Sequence, residues 1–297
     1  MDAIVLASPE NYRISYAINP LTNKKSVVDL KKAMAQFVRI KARFESHGIP
    51  VHVIDAGIAD PQGIYPDFVF VSNSALILRG WPTKVAILAR YAHKERRGEE
   101  QRVGAYLKYV LGYKVISLPE KEGLYFEGQG DARWSKKADG STHLWMCYGS
   151  GRTTQAGIEA VRSAIMEEAN TIHWQPPTIH VLHMVEKKTY HLDLCFLPLP
   201  NMRVLLHSTS FSTASNKEIA NHFGKTNVIG VPLKYIYACN SVWLDTKTLL
   251  IPKLDAGCRQ WMHEATGMRI EEVNAGEFHL AGGSVSCMVL PCWTSLV

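Results

Sequence analysis

Residues 27–54 read VVDLKKAMAQFVRIKARFESHGIPVHVI, and this stretch carries the pattern that decides the fold. Its apolar residues recur about every 3.6 positions, which predicts a helix with one buried face. The residues on that face are Val27, Leu30, Met34, Phe37 and Phe44. Gly48 stands where a C-terminal helix cap belongs, and residues 51–54 predict a strand after it. With the apolar residues 4–6 upstream, the stretch predicts a strand–helix–strand unit.

Four further segments repeat this order of strand, helix and strand. Their first strands lie at residues 85–88, 144–146, 204–206 and 249–251, and additional short strands such as residues 68–71 lie between the units. Their helices carry apolar side chains at helical spacing, such as Val103, Leu107 and Val110 in the second unit and Ile158, Val161 and Ile165 in the third. Five similar units predict one pseudo-symmetric α/β domain over residues 1–297. A doubly wound sheet is the alternative, but no GxGxxG motif follows a strand.

Charge and composition exclude several classes of protein. The net charge is +6, and the basic residues are dispersed among acidic ones, whereas a nucleic-acid-binding surface needs a stripe of one sign. No run approaches the roughly 18 apolar residues that span a membrane, and the first residues lack the basic start of a signal peptide. We therefore expect a cytoplasmic protein that acts on a small molecule, without nucleic acid or membrane as a partner. The sequence leaves open whether it forms a homo-oligomer.

The six cysteines are too few for a disulfide scaffold in a chain of 297 residues. No pair has CxxC spacing, which argues against a structural zinc site. We expect mostly buried free thiols, with neither a metal nor a cofactor at the site.

Cys287 is the candidate nucleophile. It follows residues 281–286 (AGGSVS), whose small side chains leave room for a ligand near the sulfur. Taken alone, a buried and inert cysteine is the more common explanation. A thiol nucleophile also needs a base, and His191 lies two residues before Asp193 on a predicted strand, where both side chains face the same side. This pairing singles out His191 among the 12 histidines.

Two acidic residues bracket a glycine-rich turn at residues 126–131. Glu127 and Asp131 at such a turn suit cation binding or the orientation of a histidine, and a solvated turn is the alternative. Arg152 precedes a predicted helix. Its guanidinium fork can bind a carboxylate, or the residue can lie on the surface as an ordinary charged side chain.

Seven short motifs, in their order along the chain, resemble the guanidino-modifying superfamily, which has the pentein or α/β propeller fold. The motifs are residues 18–20 (INP), 66–73 (PDFVFVSN), 93–100 (HKERRGEE), 126–131 (FEGQGD), 151–153 (GRT), 191–193 (HLD) and 282–287 (GGSVSC). The superfamily includes arginine deiminases, dimethylarginine dimethylaminohydrolases, amidinotransferases and arginine dihydrolases. The resemblance covers essentially the whole chain, and it implies five ββαβ repeats around a central site.

The resemblance also implies a role for each matching residue. Cys287 corresponds to the nucleophile, His191 to the general acid and base, and Glu127 to the acid that orients the histidine. Four residues correspond to substrate-binding positions: Asp193 for the guanidinium, Arg96 and Arg152 for the substrate carboxylate, and Asp67 for the amino group.

Asn73 stands where deiminases and dimethylarginine hydrolases have an acid, and in this it resembles the arginine dihydrolases. Their early Ile-Asn-Pro segment also matches Asn19. An amide has a donor as well as acceptors, so Asn73 can hold both a guanidinium cation and a neutral ureido group. The resemblance thus implies two hydrolysis steps on arginine, which yield ornithine, carbon dioxide and two ammonia molecules.

Three alternatives use the same site. A single-step deiminase or dimethylarginine dimethylaminohydrolase stops after the first hydrolysis. An amidinotransferase uses the same cysteine but passes the amidino group to an amine. A binding protein without activity is the third alternative, but such proteins usually lose a member of the triad, whereas this chain retains Cys287, His191 and Glu127.

Overall fold

The structure is a computed structural model that describes residues 1–293, and within them fifteen strands form five sheets of three strands each. The strands are β1 (Ala3–Ala7), β2 (Val51–Ile54), β3 (Ala75–Ile77), β4 (Val85–Leu88), β5 (Lys114–Ile116), β6 (Ala132–Lys136), β7 (Thr142–Tyr148), β8 (Thr178–His183), β9 (Phe196–Pro198), β10 (Val204–Leu206), β11 (Val228–Gly230), β12 (Val242–Trp243), β13 (Thr248–Pro252), β14 (Arg269–Val273) and β15 (Leu290–Cys292). The helices are α1 (Leu30–Ser46), α2 (Ala56–Ala59), α3 (Glu99–Tyr109), α4 (Gln155–Thr171), α5 (Thr213–Phe223), α6 (Ala256–Thr266), α7 (Gly276–His279) and α8 (Val285–Met288).

All five sheets share one topology. The central strand pairs antiparallel with one neighbour and parallel with the other. In the second unit, β4 is antiparallel to β3 and parallel to β5, and α3 lies in the connection to β5. Because a parallel pair needs a crossover connection, each unit contains one long helix. The five predicted repeats are confirmed, and the second to fifth units have along the chain the ββαβ order that the resemblance implies.

The first unit takes its antiparallel strand from the C-terminal part of the chain. β15 pairs with β1, and Pro291 lies opposite Ile4. Helix α8, which is a single turn and carries Cys287, directly precedes β15. Cys287 therefore lies just before the antiparallel edge strand of its sheet. The turns before β3, β6, β9 and β12 have the same position in the other four sheets.

Two of the predicted strands are wrong. Residues 68–71 lie in a turn that continues into the 3-10 turn Val71–Ser74, and the segment with His191 and Asp193 forms the 3-10 turn Leu192–Leu194. Both segments are buried. Their apolar residues therefore report burial inside the molecule and not pairing in a sheet.

Helix α1 begins later than its apolar pattern predicts. Asp29 caps the helix, because its carboxylate accepts a hydrogen bond from the backbone N–H of Lys32 at 3.1 Å. Val27 therefore lies before the helix and is 88% exposed, and Leu30 is 42% exposed. Val110 lies just beyond α3 and is also exposed. The buried residues of α1 are Ala33, Gln36, Phe37, Ile40 and Phe44.

The cysteines match the prediction, since all six are free and buried. Among residues 1–293, no helix has both the length and the apolar character to cross a membrane. The cytoplasmic location and the single domain over residues 1–297 stay predictions.

Candidate active site

Polar side chains cluster just before the antiparallel edge strand of each sheet. The residues that precede these strands are Asn73 before β3, Asp131 before β6, Asp193 before β9, Asn240 before β12 and Cys287 before β15. Hydrogen bonds across the unit boundaries join four of these turns, those with Asp131, Asp193, Asn240 and Cys287. The repeat thus brings one polar group from each unit to a common centre.

Cys287 is 2% exposed, and two polar side chains hold its sulfur. The Sγ–H donates to Oδ2 of Asp193 at 3.2 Å, and Nδ2 of Asn240 donates to the sulfur at 3.2 Å. Oδ1 of Asn240 accepts the backbone N–H groups of Ser286 and Cys287 at 3.0 and 3.3 Å. Burial raises the pKa of the Cys287 thiol well above its ordinary value, and the Asp193 carboxylate raises it further, while the Asn240 amide lowers it.

His191 is oriented by a buried carboxylate. Its Nε2 lies 2.8 Å from Oε2 of Glu127, and Nη1 of Arg152 donates to the same oxygen at 2.8 Å. Burial alone would raise the pKa of Glu127, but Arg152 and His191 lower it below its ordinary value. Glu127 is therefore ionised and fixes the imidazole ring. Asp193, which the sequence pairs with His191, contacts Cys287 instead.

Asp131 stabilises the turn that carries His191. Its Oδ1 accepts the backbone N–H of Leu192 at 3.1 Å, and its Oδ2 accepts the hydroxyl of Thr153 at 2.6 Å. Glu127 and Asp131 are both fully buried, so a solvated turn is the wrong explanation for them. Arg152 is 3% exposed, and a surface position is therefore wrong for this residue as well.

Arg96 is 3% exposed and binds Asn73. Its Nη1 donates to Oδ1 of Asn73 at 3.0 Å, and its Nε and Nη2 bind the carboxylate of Glu99 at 2.6–3.1 Å. Nδ2 of Asn73 is buried and has no hydrogen-bond partner among residues 1–293. Because buried donors in folded proteins are nearly always paired, this amide is ready to donate to a ligand.

A cavity of about 10 Å³, the room for one water molecule, lies between these groups. Its walls include the predicted site residues Asn19, Asp67, Asn73, Arg96, Arg152, His191 and Cys287. Glu127 and Asp193 stand behind the wall, in contact with His191 and Cys287. The predicted site residues are therefore brought together in one place.

Asn19 uses its side chain on backbone groups. Its Oδ1 accepts the N–H groups of Leu21 and Thr22, each at 3.0 Å, and its Nδ2 donates to the carbonyl of Ala281 at 3.0 Å. These bonds fasten the early Ile-Asn-Pro segment to the loop before Cys287. Asn19 thus shapes one wall of the cavity.

Sequence reasoning missed Asn240, Glu99 and Arg133. Asn240 stands two residues before its strand, as Asn73 does, so an alignment of the five repeats could have found it. Glu99 follows Arg96 by three residues, a spacing at which helical residues form ion pairs. Nη2 of Arg133 donates to Oγ of Ser286 at 2.6 Å and lies 3.7 Å from Oδ2 of Asp193, and no sequence signal marks it.

Comparisons with known proteins agree with this geometry. Residues 12–294 match the family model described as N,N dimethylarginine dimethylhydrolase, eukaryotic. The bifunctional arginine dihydrolase/ornithine cyclodeaminase ArgZ of Synechocystis is 27% identical over 97% of this chain, which spans 37% of ArgZ. The N(G),N(G)-dimethylarginine dimethylaminohydrolase of Mycobacterium tuberculosis is 25% identical over 96% of this chain and 84% of its own length.

A solved structure shows the same fold. The N-terminal domain of ArgZ, an arginine dihydrolase from cyanobacteria bound to its product, superposes with a TM-score of 0.80 at 26% identity, and the match covers 98% of this chain and 97% of that one. The pentein fold and the membership of the guanidino-modifying superfamily are thereby confirmed. The chain belongs to the family of eukaryotic N,N-dimethylarginine dimethylhydrolases, and it is a guanidino-group hydrolase that forms a covalent intermediate on a cysteine.

Proposed function

We propose that this hydrolase converts arginine to ornithine, carbon dioxide and two ammonia molecules, with Cys287 as the nucleophile. The observation that carries the proposal is Asn73, whose Oδ1 is held by Arg96 while its buried Nδ2 has no partner in the described part of the chain. A carboxylate at this position would offer only acceptors, which suit a guanidinium cation but repel a urea oxygen. The amide supplies a donor for that oxygen, so the product of the first step stays bound for the second.

Asp193 receives the substrate cation in the first step. Its Oδ1 has no hydrogen-bond partner among the described residues, and its Oδ2 accepts from the thiol of Cys287. A guanidinium bound to Asp193 offsets the negative charge that raises the thiol pKa, so the sulfur loses its proton to His191 when the substrate binds. Substrate binding and thiolate formation are therefore coupled.

The thiolate attacks the central guanidinium carbon. His191 gives its proton to the nitrogen that leaves as ammonia, and the substrate remains on the sulfur as an amidino group. His191 then takes a proton from water, the hydroxide adds to the same carbon, and the carbon–sulfur bond breaks to give citrulline and the free thiol. Glu127 keeps the imidazole oriented through its contact of 2.8 Å.

The same cycle on the ureido carbon releases the second ammonia. Hydrolysis of the carbamoyl-cysteine then leaves a carbamate, which loses carbon dioxide and becomes ornithine. Each turnover consumes two water molecules, and all atoms of arginine and water appear in ornithine, carbon dioxide and two ammonia molecules.

In this proposal, the α-carboxylate and α-amino groups of the substrate are bound by Arg96, Arg152 and Asp67. Arg152 lines the cavity and, of its five N–H donors, uses one on Glu127 and one on the carbonyl of Ile18 in the described part of the chain. Its remaining donors suit the α-carboxylate. Asp67 is buried, lines the same cavity and suits the α-amino group.

The family match favours a second candidate, the single-step hydrolysis of dimethylarginine. That reaction releases dimethylamine and ends at citrulline. The unpartnered donor of Asn73 then has no assigned use, which is why we place this candidate second.

Product analysis tests the proposal. The purified protein is incubated separately with arginine, citrulline and asymmetric dimethylarginine, and ammonia, dimethylamine, citrulline and ornithine are measured. We expect two ammonia molecules per ornithine from arginine, and ornithine from added citrulline. Citrulline as the sole product from arginine would contradict the second step. Turnover that requires an added amine would identify an amidinotransferase instead.

A further inference from the structure

Three histidines of the third and fourth units meet outside the Cys287 cavity. His143 on β7, His180 on β8 and His222 on α5 each place one ring nitrogen within 4.8 Å of the others. Nδ1 of His143 and Nε2 of His180 are 3.0 Å apart. The ring centroids of His143 and His222 are 4.5 Å apart, with the planes at 73°. The described residues that line the Cys287 cavity include none of the three.

Outer contacts decide which ring nitrogen each histidine keeps free. Nδ1 of His180 lies 2.8 Å from Oε1 of Glu218, and Nε2 of His143 lies 3.1 Å from Oγ of Ser141. When these nitrogens carry the proton, Nε2 of His180 and Nδ1 of His143 keep their lone pairs. Nε2 of His222 is buried and has no partner among residues 1–293. Each histidine thus has one ring nitrogen available to a cation.

The surroundings give the cluster a rigid side and an open side. The indole of Trp145, which is fully buried, stacks on the His180 ring at 3.9 Å between centroids and 10° between planes. On the other side, a recess of about 440 Å³ is lined by His180, His222, Glu218 and their neighbours on α5. The recess gives an ion and its water molecules access to His180 and His222, two of the three histidines.

We propose that His143, His180 and His222 bind one divalent transition-metal ion of the zinc type, with water in the remaining position. Nitrogens bound to zinc in a tetrahedron stand roughly 3.4 Å apart, close to the 3.0 Å between His143 and His180. Glu218 is the outer carboxylate that fixes the His180 ring, an arrangement typical of histidine ligands. A metal-free cluster of hydrogen-bonded histidines is the other explanation, and it leaves Nε2 of His222 without a partner in the described chain.

The role that follows from the position is structural. β7 and β8 belong to the third unit and α5 to the fourth, so the ion connects two units of the repeat. A ligand that binds only the native state stabilises it by mass action. The ion therefore raises the midpoint of thermal unfolding, and the chemistry at Cys287 does not require it.

Zinc titration calorimetry tests the site in metal-free protein that carries Cys287→Ser, because this change removes the catalytic thiol as a competing ligand. We expect one zinc per chain, with a Kd below about 10 µM. The Co²⁺ complex should show visible d–d bands at the same stoichiometry. Adding His222→Ala should weaken binding by roughly 100-fold or more. Adding His183→Ala, a change of the exposed histidine on the same strand as His180, should leave binding at the level of the parent.

Glu218→Gln keeps all three ligands and provides a second measurement if the His222 variant does not fold. We expect it to weaken zinc binding roughly 10- to 100-fold. Zinc should also raise the thermal midpoint of the Cys287→Ser parent more than that of either variant. The proposal is wrong if the parent binds no zinc, or if the folded variants bind it as tightly as the parent. These readouts do not depend on which guanidino substrate the enzyme uses.

Discussion

Two asparagines occupy equivalent places in the five-fold repeat and differ in what their amides bind. Asn73 stands two residues before β3, and Asn240 stands two residues before β12. Both ends of the Asn240 amide bind the protein, since it donates to the Cys287 sulfur and accepts two backbone N–H groups of α8. Asn73 accepts from Arg96, but its donor has no partner in the described chain. In the proposed mechanism, Asn240 positions the nucleophile and Asn73 is left to bind the substrate.

The repeat therefore fixes the place of a residue, and the neighbours of that residue fix its role. Helix α8 is a single turn, and Ser284 at its N-terminus makes no side-chain capping bond. The first N–H groups of a helix need an acceptor, and Asn240 supplies it from another unit. The turn with Asn73 packs instead against Gly130, where a side chain would collide with Nδ2 of Asn73. The amide of Asn73 therefore caps no helix, unlike that of Asn240.

The largest expected effect comes from Cys287→Ser, which removes the atom on which Asn240 acts. A serine hydroxyl is far less ionised than a thiol near neutral pH, so turnover of arginine and citrulline should fall on the order of 10³-fold or more. Folding should change little, because the substitution is nearly isosteric. Ammonia release and the thermal midpoint measure the two effects.

Cys292→Ser is the matched control, five residues further along. Its thiol is buried in β15 and does not line the cavity in the described structure, so the variant should keep its activity. Comparable losses in both variants would show that the nucleophile is misassigned.

Asn240→Ala should have the next largest effect, because it removes the positioning amide alone. A hydrogen bond to a charged group contributes about 1.5–3 kcal/mol, so both hydrolysis steps should slow by roughly 10- to 100-fold. The variant should also raise the pKa of the Cys287 thiol, since the amide of Asn240 lowers it in the wild type. The rate of alkylation by iodoacetamide against pH measures this shift. Identical alkylation profiles would leave Asn240 with a structural role only.

Much of the fold and the site follows from the sequence, because the repeat pattern and the seven motifs are local. Cys287 and His191 line one cavity, as the motifs indicate, and Glu127 contacts His191 from behind its wall. Asn240 has no motif of its own, and its function becomes visible only when the five turns are compared. The turns near Asn73 and His191 resemble strands in sequence, because hydrophobicity reports burial and not hydrogen bonding.

The histidine cluster could not be predicted from spacing. His143 and His180 are 37 residues apart and meet because β7 and β8 pair in parallel. His222 reaches them from the next unit through the packing of α5. Such a contact is a property of the tertiary structure alone.

Asn73→Asp separates the two asparagines most sharply. The first ammonia should appear at a rate close to that of the wild type, because a carboxylate still binds the guanidinium cation. Conversion of citrulline to ornithine should fall about tenfold or more, since an acceptor would face the ureido oxygen and leave it without a donor. The citrulline-to-ornithine ratio in a single turnover measures the effect. Equal slowing of both steps, as expected for Asn240→Ala, would mean that Asn73 has no special part in the second step.

Arg96→Lys should have the smallest effect, and it tests how Asn73 and the substrate carboxylate are held. Arg96 binds Glu99 and Asn73 through one planar fork, which a single ammonium group cannot reproduce. The KM for arginine should rise about tenfold, because one charge-assisted hydrogen bond to the substrate carboxylate is lost. Arg97→Lys is the matched control, because the guanidinium of Arg97 binds the carbonyls of Tyr91 and Ala92 and does not line the described cavity.

Agmatine distinguishes the two contacts of Arg96, because it lacks the α-carboxylate. If Arg96 binds that carboxylate, the wild type should turn over agmatine poorly, and Arg96→Lys should change its KM much less than that of arginine. If Arg96 acts only by holding Asn73, the KM for arginine should stay constant while citrulline accumulates. We expect the first result, with a smaller rise in citrulline than in Asn73→Asp, because a lysine ammonium can still donate to Oδ1 of Asn73. Efficient turnover of agmatine by the wild type would rule out the carboxylate contact and leave Arg96 as a residue that orients Asn73.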